Sequence, residues 1–183
     1  MKTEGLQQLF STKERMMILG HVLSGGSLNT NTISMKTGVS KGLVSIYLTM
    51  LVSFGMLGKS GRKYVPKREE LIFRAVKTLF NTVRLGNVKP FDRKITGIGV
   101  YGSYAKGTNT PESDIDIWIK ASDRLGEEKV ARFEYEMANA MGSKVNAIVI
   151  DPERMERLKK EDKEFYHSIA AGSITLWGES LGD

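Results

Sequence analysis

Cysteine is absent from this chain of 183 residues. A protein without cysteine has no disulfide, no thiolate zinc site and no thiol nucleophile. The sequence also lacks a run of about 18 apolar residues, so we expect no transmembrane helix. Its first residues, 1–8, do not form the apolar core of a signal peptide. These absences favour a cytoplasmic protein that has no contact with a membrane.

Length and composition are those of a folded protein. The chain is long enough for one ordinary domain or two small ones. Hydrophobic residues make up 40% of it and charged residues 26%, which is typical of globular proteins and carries no signature of disorder.

Charge is divided unevenly along the chain. Residues 1–94 contain 16 Lys and Arg against 5 Asp and Glu, whereas residues 95–183 contain 11 against 16. The first part therefore has a net charge of +11 and the second of −5. This asymmetry suggests a front half that binds a polyanion and an acidic back half that could hold a metal ion.

The basic half has the pattern of three helices followed by a hairpin. Ser11 and Glu14 have the spacing of a capping box, residues 30–37 predict a second helix, and Ser40 caps a third. A strand pattern with Ser60-Gly61 at its tip follows. Apolar residues at helical spacing predict that one side of the third helix is core: Leu43, Ile46, Tyr47, Met50, Leu51 and Phe54.

This order of elements over residues 8–67 resembles a winged helix-turn-helix domain. The resemblance implies a third helix in the major groove and a hairpin on the DNA backbone. It assigns DNA or RNA contacts to Ser40, Lys41, Ser45, Lys59, Arg62 and Lys63. Two alternatives stay open, namely a helical domain whose lysines only interact with water, and a module that contacts proteins. A homodimer that reads paired half-sites is a further expectation.

Residues 68–86 predict an amphipathic helix that either connects the two halves or pairs with another subunit. The residues expected on its apolar face are Leu71, Ile72, Ala75, Leu79, Phe80 and Val83. Glycine and proline between Gly86 and Pro90 end the pattern. We therefore predict a winged helix-turn-helix domain at 1–67, a connecting helix and linker at 68–89, and a second domain at 90–183.

The acidic half alternates strand and helix patterns. Strands are predicted at residues 95–101, 114–120 and 144–150, with a helix at 124–141 and a short final strand at 173–177. Asp151 caps a further helix that has Pro152 at its first position. The whole chain is thus predicted to be an α+β protein of two domains, in which the second has a small mixed sheet.

Two carboxylates carry the chemistry of this half. Asp114 and Asp116 are two residues apart on a predicted strand, so their side chains point to the same face. A glycine at Gly102 lets backbone approach a phosphate, and Ser103 adds hydroxyl and N–H donors. Such a group can hold Mg²⁺ and a triphosphate together. The glycine spacing is not that of a P-loop, because Thr108 occupies the position that requires lysine.

The same residues resemble the nucleotidyltransferase domain of the DNA polymerase β superfamily. The shared pattern is Gly102-Ser103, ten residues, and Asp114-Ile-Asp-Ile117. This resemblance implies catalytic and metal-binding roles for Asp114 and Asp116, with Mg²⁺ or Mn²⁺ as cofactor. Nucleotide contacts are implied for Gly102, Ser103, Lys106 and Ser113. The implied reaction moves a nucleoside monophosphate from an NTP to an acceptor.

One position departs from that pattern. The superfamily places a third carboxylate on the next core strand, where this sequence has Asn146. An amide binds Mg²⁺ more weakly than a carboxylate. Asp151 cannot replace it, because it lies five residues further along and on the opposite strand face. Activation of the acceptor is expected to suffer more than nucleotide binding.

Three functions follow from the sequence. The first is a nucleotidyltransferase that a winged helix brings to nucleic acid. The second is a transcription regulator whose degenerate transferase domain senses nucleotide. The third is an antitoxin-like transferase that modifies a partner protein.

Overall fold

The computed structural model describes residues 4–26, 28–61 and 63–182. Contacts divide the chain into two units, of which the first ends at Lys77 and the second begins at Thr78. The division lies inside one helix. The predicted domain limits at 67 and 89 remain a prediction.

The first unit contains short helices followed by a two-stranded ribbon. Its elements are α1 (Glu4–Phe10), α2 (Lys13–Leu23), α3 (Thr30–Thr37), α4 (Lys41–Ser53), β1 (Leu57–Ser60) and β2 (Lys63–Pro66), with the start of α5 (Leu71–Leu85). The strands β1 and β2 pair antiparallel, with Ser60 opposite Lys63. The predicted order of three helices and a hairpin is confirmed, and α1 is an additional helix that the sequence patterns did not predict.

Side-chain caps begin three of these helices. Thr12 caps α2 and accepts a hydrogen bond from the backbone N–H of Arg15 at 3.3 Å. The predicted cap at Ser11 is therefore wrong by one residue. Asn29 caps α3, and Ser40 caps α4 as expected. A cap residue satisfies backbone donors that the helix itself leaves unpaired.

Apolar residues of both α4 and α5 are exposed. Ile46 on α4 is 64% exposed, although its spacing predicted a core position. On α5 three residues of the predicted apolar face are exposed, namely Leu71 at 82%, Leu79 at 50% and Val83 at 70%. The buried side of α5 instead consists of Phe73, Val76, Lys77, Asn81 and Leu85. Burial lowers the pKa of Lys77 to about 8, because it disfavours the charged form, and Arg68 nearby adds to this effect.

The second unit is built around one mixed sheet. Its elements are β3 (Ile95–Tyr101), α6 (Gly102–Lys106), β4 (Ile115–Ala121), α7 (Glu127–Met141), β5 (Val145–Ile150), α8 (Pro152–Glu161), α9 (Lys163–Gly172) and β6 (Ile174–Gly178). The strand order is β5-β4-β3-β6, in which β3 is antiparallel to β4 and β6, and β4 is parallel to β5. The predicted small mixed sheet is confirmed.

The two faces of the sheet belong to different cores. Ile115, Ile117 and Ile119 alternate along β4 and pack in one cluster with Phe133 of α7. The other face buries Trp118 with residues of β5, α9 and the C-terminal segment. Trp118 is completely buried.

The segment between β5 and β6 forms two helices instead of the single one predicted. Asp151 caps α8 and accepts from the N–H of Arg154 at 2.8 Å. Asp162 caps α9 and accepts from the N–H of Phe165 at 3.1 Å. Within the described part of the chain, no helix is long and apolar enough to cross a membrane.

Candidate functional site

The turn after β3 lies beside the first residues of β4, the neighbouring strand in the centre of the sheet. Tyr101, the last residue of β3, lies opposite Asp116 in the antiparallel pair. Gly102 follows with a φ of +66°, a conformation that favours glycine. A Cβ atom on Gly102 would lie 2.7 Å from Oδ2 of Asp116. Glycine is therefore required here both by the backbone and by the neighbouring carboxylate.

The two predicted carboxylates converge. Asp114 immediately precedes β4 and Asp116 is its second residue. The Nδ2 atom of Asn146 lies 3.1 Å from Oδ2 of Asp114 and 3.4 Å from Oδ1 of Asp116. One amide nitrogen thus reaches both side chains. Their like charges repel each other, so a hydrogen-bond donor or a cation between them is favoured.

The register of the sheet places Asn146 beside the two carboxylates. Asn146 is the partner of Asp116 in the parallel pair of β4 and β5. The structure therefore puts the amide at the position where the third carboxylate was expected. Among the described residues, no cluster of three or more His, Cys, Asp and Glu side chains could hold a metal ion.

Lys144 joins this group, and the sequence patterns did not single it out. Its ammonium nitrogen lies 3.2 Å from Oδ2 of Asp114, and its side chain is 70% exposed. Hydrogen bonds from Asn146 first, and from Lys144 second, hold the pKa of the Asp114 carboxyl below its usual value. Its place two residues before Asn146, immediately before β5, was the available signal, since residues two apart in an extended segment share a face.

The loop between the glycine turn and Asp114 is anchored by buried amides. Asn81 of α5 donates to the carbonyl of Tyr104 at 2.8 Å and to Oδ1 of Asn109 at 2.9 Å. Asn81 and Asn109 are both buried. Buried amides of this kind fix a conformation when their hydrogen bonds are satisfied. The sequence patterns did not predict this support, because Asn81 is one of several polar residues along α5.

The remaining predicted nucleotide contacts lie around the same turn. Ser103 is the second residue of α6, and Lys106 is an exposed residue in its last turn. Ser113 accepts a hydrogen bond from the backbone N–H of Thr110 at 2.9 Å. Its hydroxyl therefore shapes the turn that delivers Asp114. Contact with nucleotide stays a prediction for these residues.

The predicted nucleic-acid contacts lie on α4 and on the hairpin. Lys41 and Ser45 are exposed one helical turn apart, whereas the hydroxyl of Ser40 caps the helix and accepts from the N–H of Leu43 at 3.4 Å. Lys59 lies over the ring of Tyr64, 5.6 Å from its centre. Arg62 lies outside the described residues.

The hairpin does not present all its lysines to one side. Tyr64 is the register partner of Lys59, and its hydroxyl lies 3.4 Å from that of Thr49 on α4. Lys63 immediately precedes Tyr64 on β2, so its side chain points to the opposite face of the ribbon. The side of the hairpin nearest α4 therefore carries Lys59 and lacks Lys63.

Sequence comparison finds a known domain family that is similar to part of the second unit. The model of the nucleotidyltransferase domain matches residues 86–169, a little under half of the chain. This segment includes the glycine turn, both carboxylates and the strands β3, β4 and β5. The strand β6 lies after it. Residues 86–169 are therefore similar to a nucleotidyltransferase domain, as the Gly-Ser and Asp-Ile-Asp-Ile motifs predicted. Among curated proteins, none matches the chain.

Several solved structures are also similar to the chain. A toxin–antitoxin crystal structure with AMP-PNP is 24% identical, covers 56% of this chain and 72% of that one, and gives a TM-score of 0.38. The toxin–antitoxin pair MntA-HepT is 19% identical, with coverages of 57% and 73% and a TM-score of 0.35. A tri-AMPylated HEPN toxin in complex with an MNT antitoxin, from Shewanella oneidensis, is 19% identical, with coverages of 58% and 73% and a TM-score of 0.34.

Proposed function

We propose that this protein transfers a nucleoside monophosphate from an NTP to the hydroxyl group of an acceptor. One observation carries the proposal. Asp114 and Asp116 both lie within hydrogen-bond distance of a single atom, next to a glycine turn through which backbone can approach a phosphate. In the reaction the acceptor oxygen forms a bond to the α-phosphorus, the α–β bridging bond breaks, and pyrophosphate and a proton are released.

The carboxylates fit a divalent cation. They supply hard oxygen ligands, and the atom that now lies between them is a hydrogen-bond donor. Asp114 and Asp116 would hold Mg²⁺ or Mn²⁺ together with phosphate oxygens. When bound, the ion would neutralise charge on the phosphates. Gly102, Ser103 and Lys106 would contact the phosphates, and Ser113 would position Asp114 through its turn.

A labelling assay tests transfer. The full chain is incubated with each α-³²P-labelled NTP, Mg²⁺ or Mn²⁺, and a panel of RNA, DNA and protein acceptors. We expect label on one acceptor class and release of pyrophosphate. Absence of label with every nucleotide and metal would contradict transfer. If NTP also changes the affinity of the chain for DNA, the nucleotide-sensing regulator would be favoured instead.

We further propose that the first unit contacts nucleic acid through α4 and the adjacent side of the hairpin. The charge of the front half and the exposed Lys41, Ser45 and Lys59 support this assignment. The protruding Ile46 also suits this surface, because apolar side chains contact the methyl group of thymine. Such a surface would bring the transferase to nucleic acid.

Removal of two of these lysines is expected to weaken DNA binding in a salt-dependent manner. Each lysine that neutralises a phosphate contributes about one unit to the slope of log K against log salt concentration. The double variant Lys41→Ala/Lys59→Ala should therefore lower the slope by about two units. Fluorescence anisotropy with a duplex at several salt concentrations measures it. Lys160→Ala, which removes an exposed charge from α8, should leave the slope unchanged. An unchanged slope in the double variant would contradict the assignment.

A partner protein is the second candidate acceptor. The similar solved structures named above contain toxin–antitoxin pairs, and one of those toxins carries AMP groups. The acceptor panel therefore includes proteins that copurify with this chain. Label on a protein, with none on RNA or DNA, would identify this chain as a protein-modifying transferase.

A further inference from the structure

The site carries an amide and an ammonium group where a third carboxylate was expected. Both donate to the same atom, Oδ2 of Asp114, over 3.1 Å from Asn146 and 3.2 Å from Lys144. A carboxylate oxygen that accepts two such donors is poorly available as a ligand for a metal ion. This arrangement bears on how many ions the site can take.

We infer that the site binds one divalent ion with its nucleotide, and that the Lys144 ammonium supplies positive charge in place of a second ion. The inference rests on the proposed function, since it concerns the same carboxylates. It goes further by fixing the number of ions and by giving a role to a residue outside the shared motif.

Charge explains why a second ion is not expected. With an aspartate at position 146 the protein would present three carboxylates, whereas Asn146 leaves Asp114 and Asp116. Lys144 offsets one of these two charges. Each missing negative charge weakens the attraction of a dication, because affinity for such ions rises with the number of charged ligands. The protein thus retains enough ligand charge for one ion shared with the phosphates.

The two oxygen atoms of Asp116 have different neighbours. Asn146 donates to Oδ1, whereas Oδ2 lies against the glycine turn, 2.7 Å from the place that a Cβ atom of Gly102 would occupy. The Lys144 side chain is exposed, but its backbone is fixed, because its carbonyl accepts a hydrogen bond from the N–H of Ile115 at 2.8 Å. The ammonium group can therefore follow Asp114 or an incoming phosphate while its anchor stays in place.

Equilibrium dialysis of the full chain against Mn²⁺ and α,β-methylene-ATP counts the ions directly. We expect one Mn²⁺ for each bound nucleotide in the wild type. The double variant Asn146→Asp/Lys144→Ala should bind two, because it restores the third carboxylate and removes the competing cation. The matched control is Lys160→Ala, which removes an exposed lysine from α8. This variant should still bind one Mn²⁺ for each nucleotide.

A second measurement addresses Lys144 alone. Without nucleotide, Lys144→Ala should bind Mn²⁺ about three- to five-fold more tightly than the wild type, since an exposed ion pair competes with the metal by about that factor. Lys160→Ala should not change Mn²⁺ affinity. Unchanged affinity in Lys144→Ala would overturn the role given to this lysine.

The outcomes separate the inference from the function on which it rests. Two Mn²⁺ ions per nucleotide in the wild type would overturn the inference and leave the proposed transferase intact. Binding of neither nucleotide nor Mn²⁺ by the wild type, with circular dichroism showing a folded chain, would overturn both.

Discussion

Asp116→Asn is expected to reduce transfer of nucleoside monophosphate by about a thousand-fold or more. The substitution keeps the shape of the side chain but removes one of the two charges that would hold the ion and phosphates. Loss of about 4 kcal/mol of transition-state stabilisation corresponds to this factor. Rates of pyrophosphate release in wild type and variant measure the effect.

The fold should survive this change. Asp116 is only half-buried and its side chain lies outside both hydrophobic clusters. The matched control is Asp123→Asn, which removes an exposed carboxylate that pairs with Lys94 at 2.6 Å. That variant should retain the wild-type rate. More than a tenth of the wild-type rate in Asp116→Asn would remove this carboxylate from the mechanism.

Gly102→Ala is expected to reduce transfer by about a hundred-fold, because it displaces a carboxylate. The new methyl group would lie 2.7 Å from Oδ2 of Asp116, which must then move. A shift of about 1 Å in a reacting group costs on the order of a hundred-fold in rate. The left-handed φ of +66° adds about 1–2 kcal/mol of destabilisation for alanine.

Gly142→Ala provides a control with the same backbone cost. Gly142 ends α7 with a φ of +65°, and a Cβ atom there would meet nothing within 4 Å. Urea unfolding should show a loss of stability in both variants, with the larger loss in Gly102→Ala because its methyl group also displaces Asp116, whereas only Gly102→Ala should lose activity. Equal activity in both would show that the space beside Asp116 is not needed.

The elements of the second unit were predictable because its sequence is locally consistent. Isoleucines occupy every second position at the start of β4 and pack in one core cluster, and this period of two predicted the strand. The spacing of Gly102, Asp114 and Asp116 predicted that they meet. The register places Asn146 beside Asp116. This confirms the expectation that an amide stands where the superfamily has its third carboxylate.

Other features depended on packing that a local pattern does not contain. The apolar spacing of α5 predicted an apolar face that connects the two halves or pairs with another subunit, whereas the structure buries the side that carries Lys77 and Asn81. Asn81 finds its partners in Tyr104 and Asn109, more than 20 residues away in sequence. Ile46 similarly fits the helical period of α4 but faces outward. Periodicity identifies an apolar stripe, whereas only tertiary contacts decide whether it is covered.

Lys144 shows the same limit within the site. A lysine before a strand is usually a solvated residue, so its position alone did not distinguish Lys144 from other exposed lysines. The parallel pairing of β4 with β5 brings it near Asp114. A search of the positions that flank Asn146 by two residues would have found it.

The proposed function requires Asp114 and Asp116 to form a metal-dependent nucleotide site. Calorimetric titration of each of the four NTPs into the full chain with Mg²⁺ measures this binding. We expect saturable binding of at least one NTP by the wild type, lost on chelation of the metal and weakened by about a hundred-fold or more in Asp114→Asn/Asp116→Asn. Equal affinity in the wild type and in this double variant would show that these carboxylates are not the site.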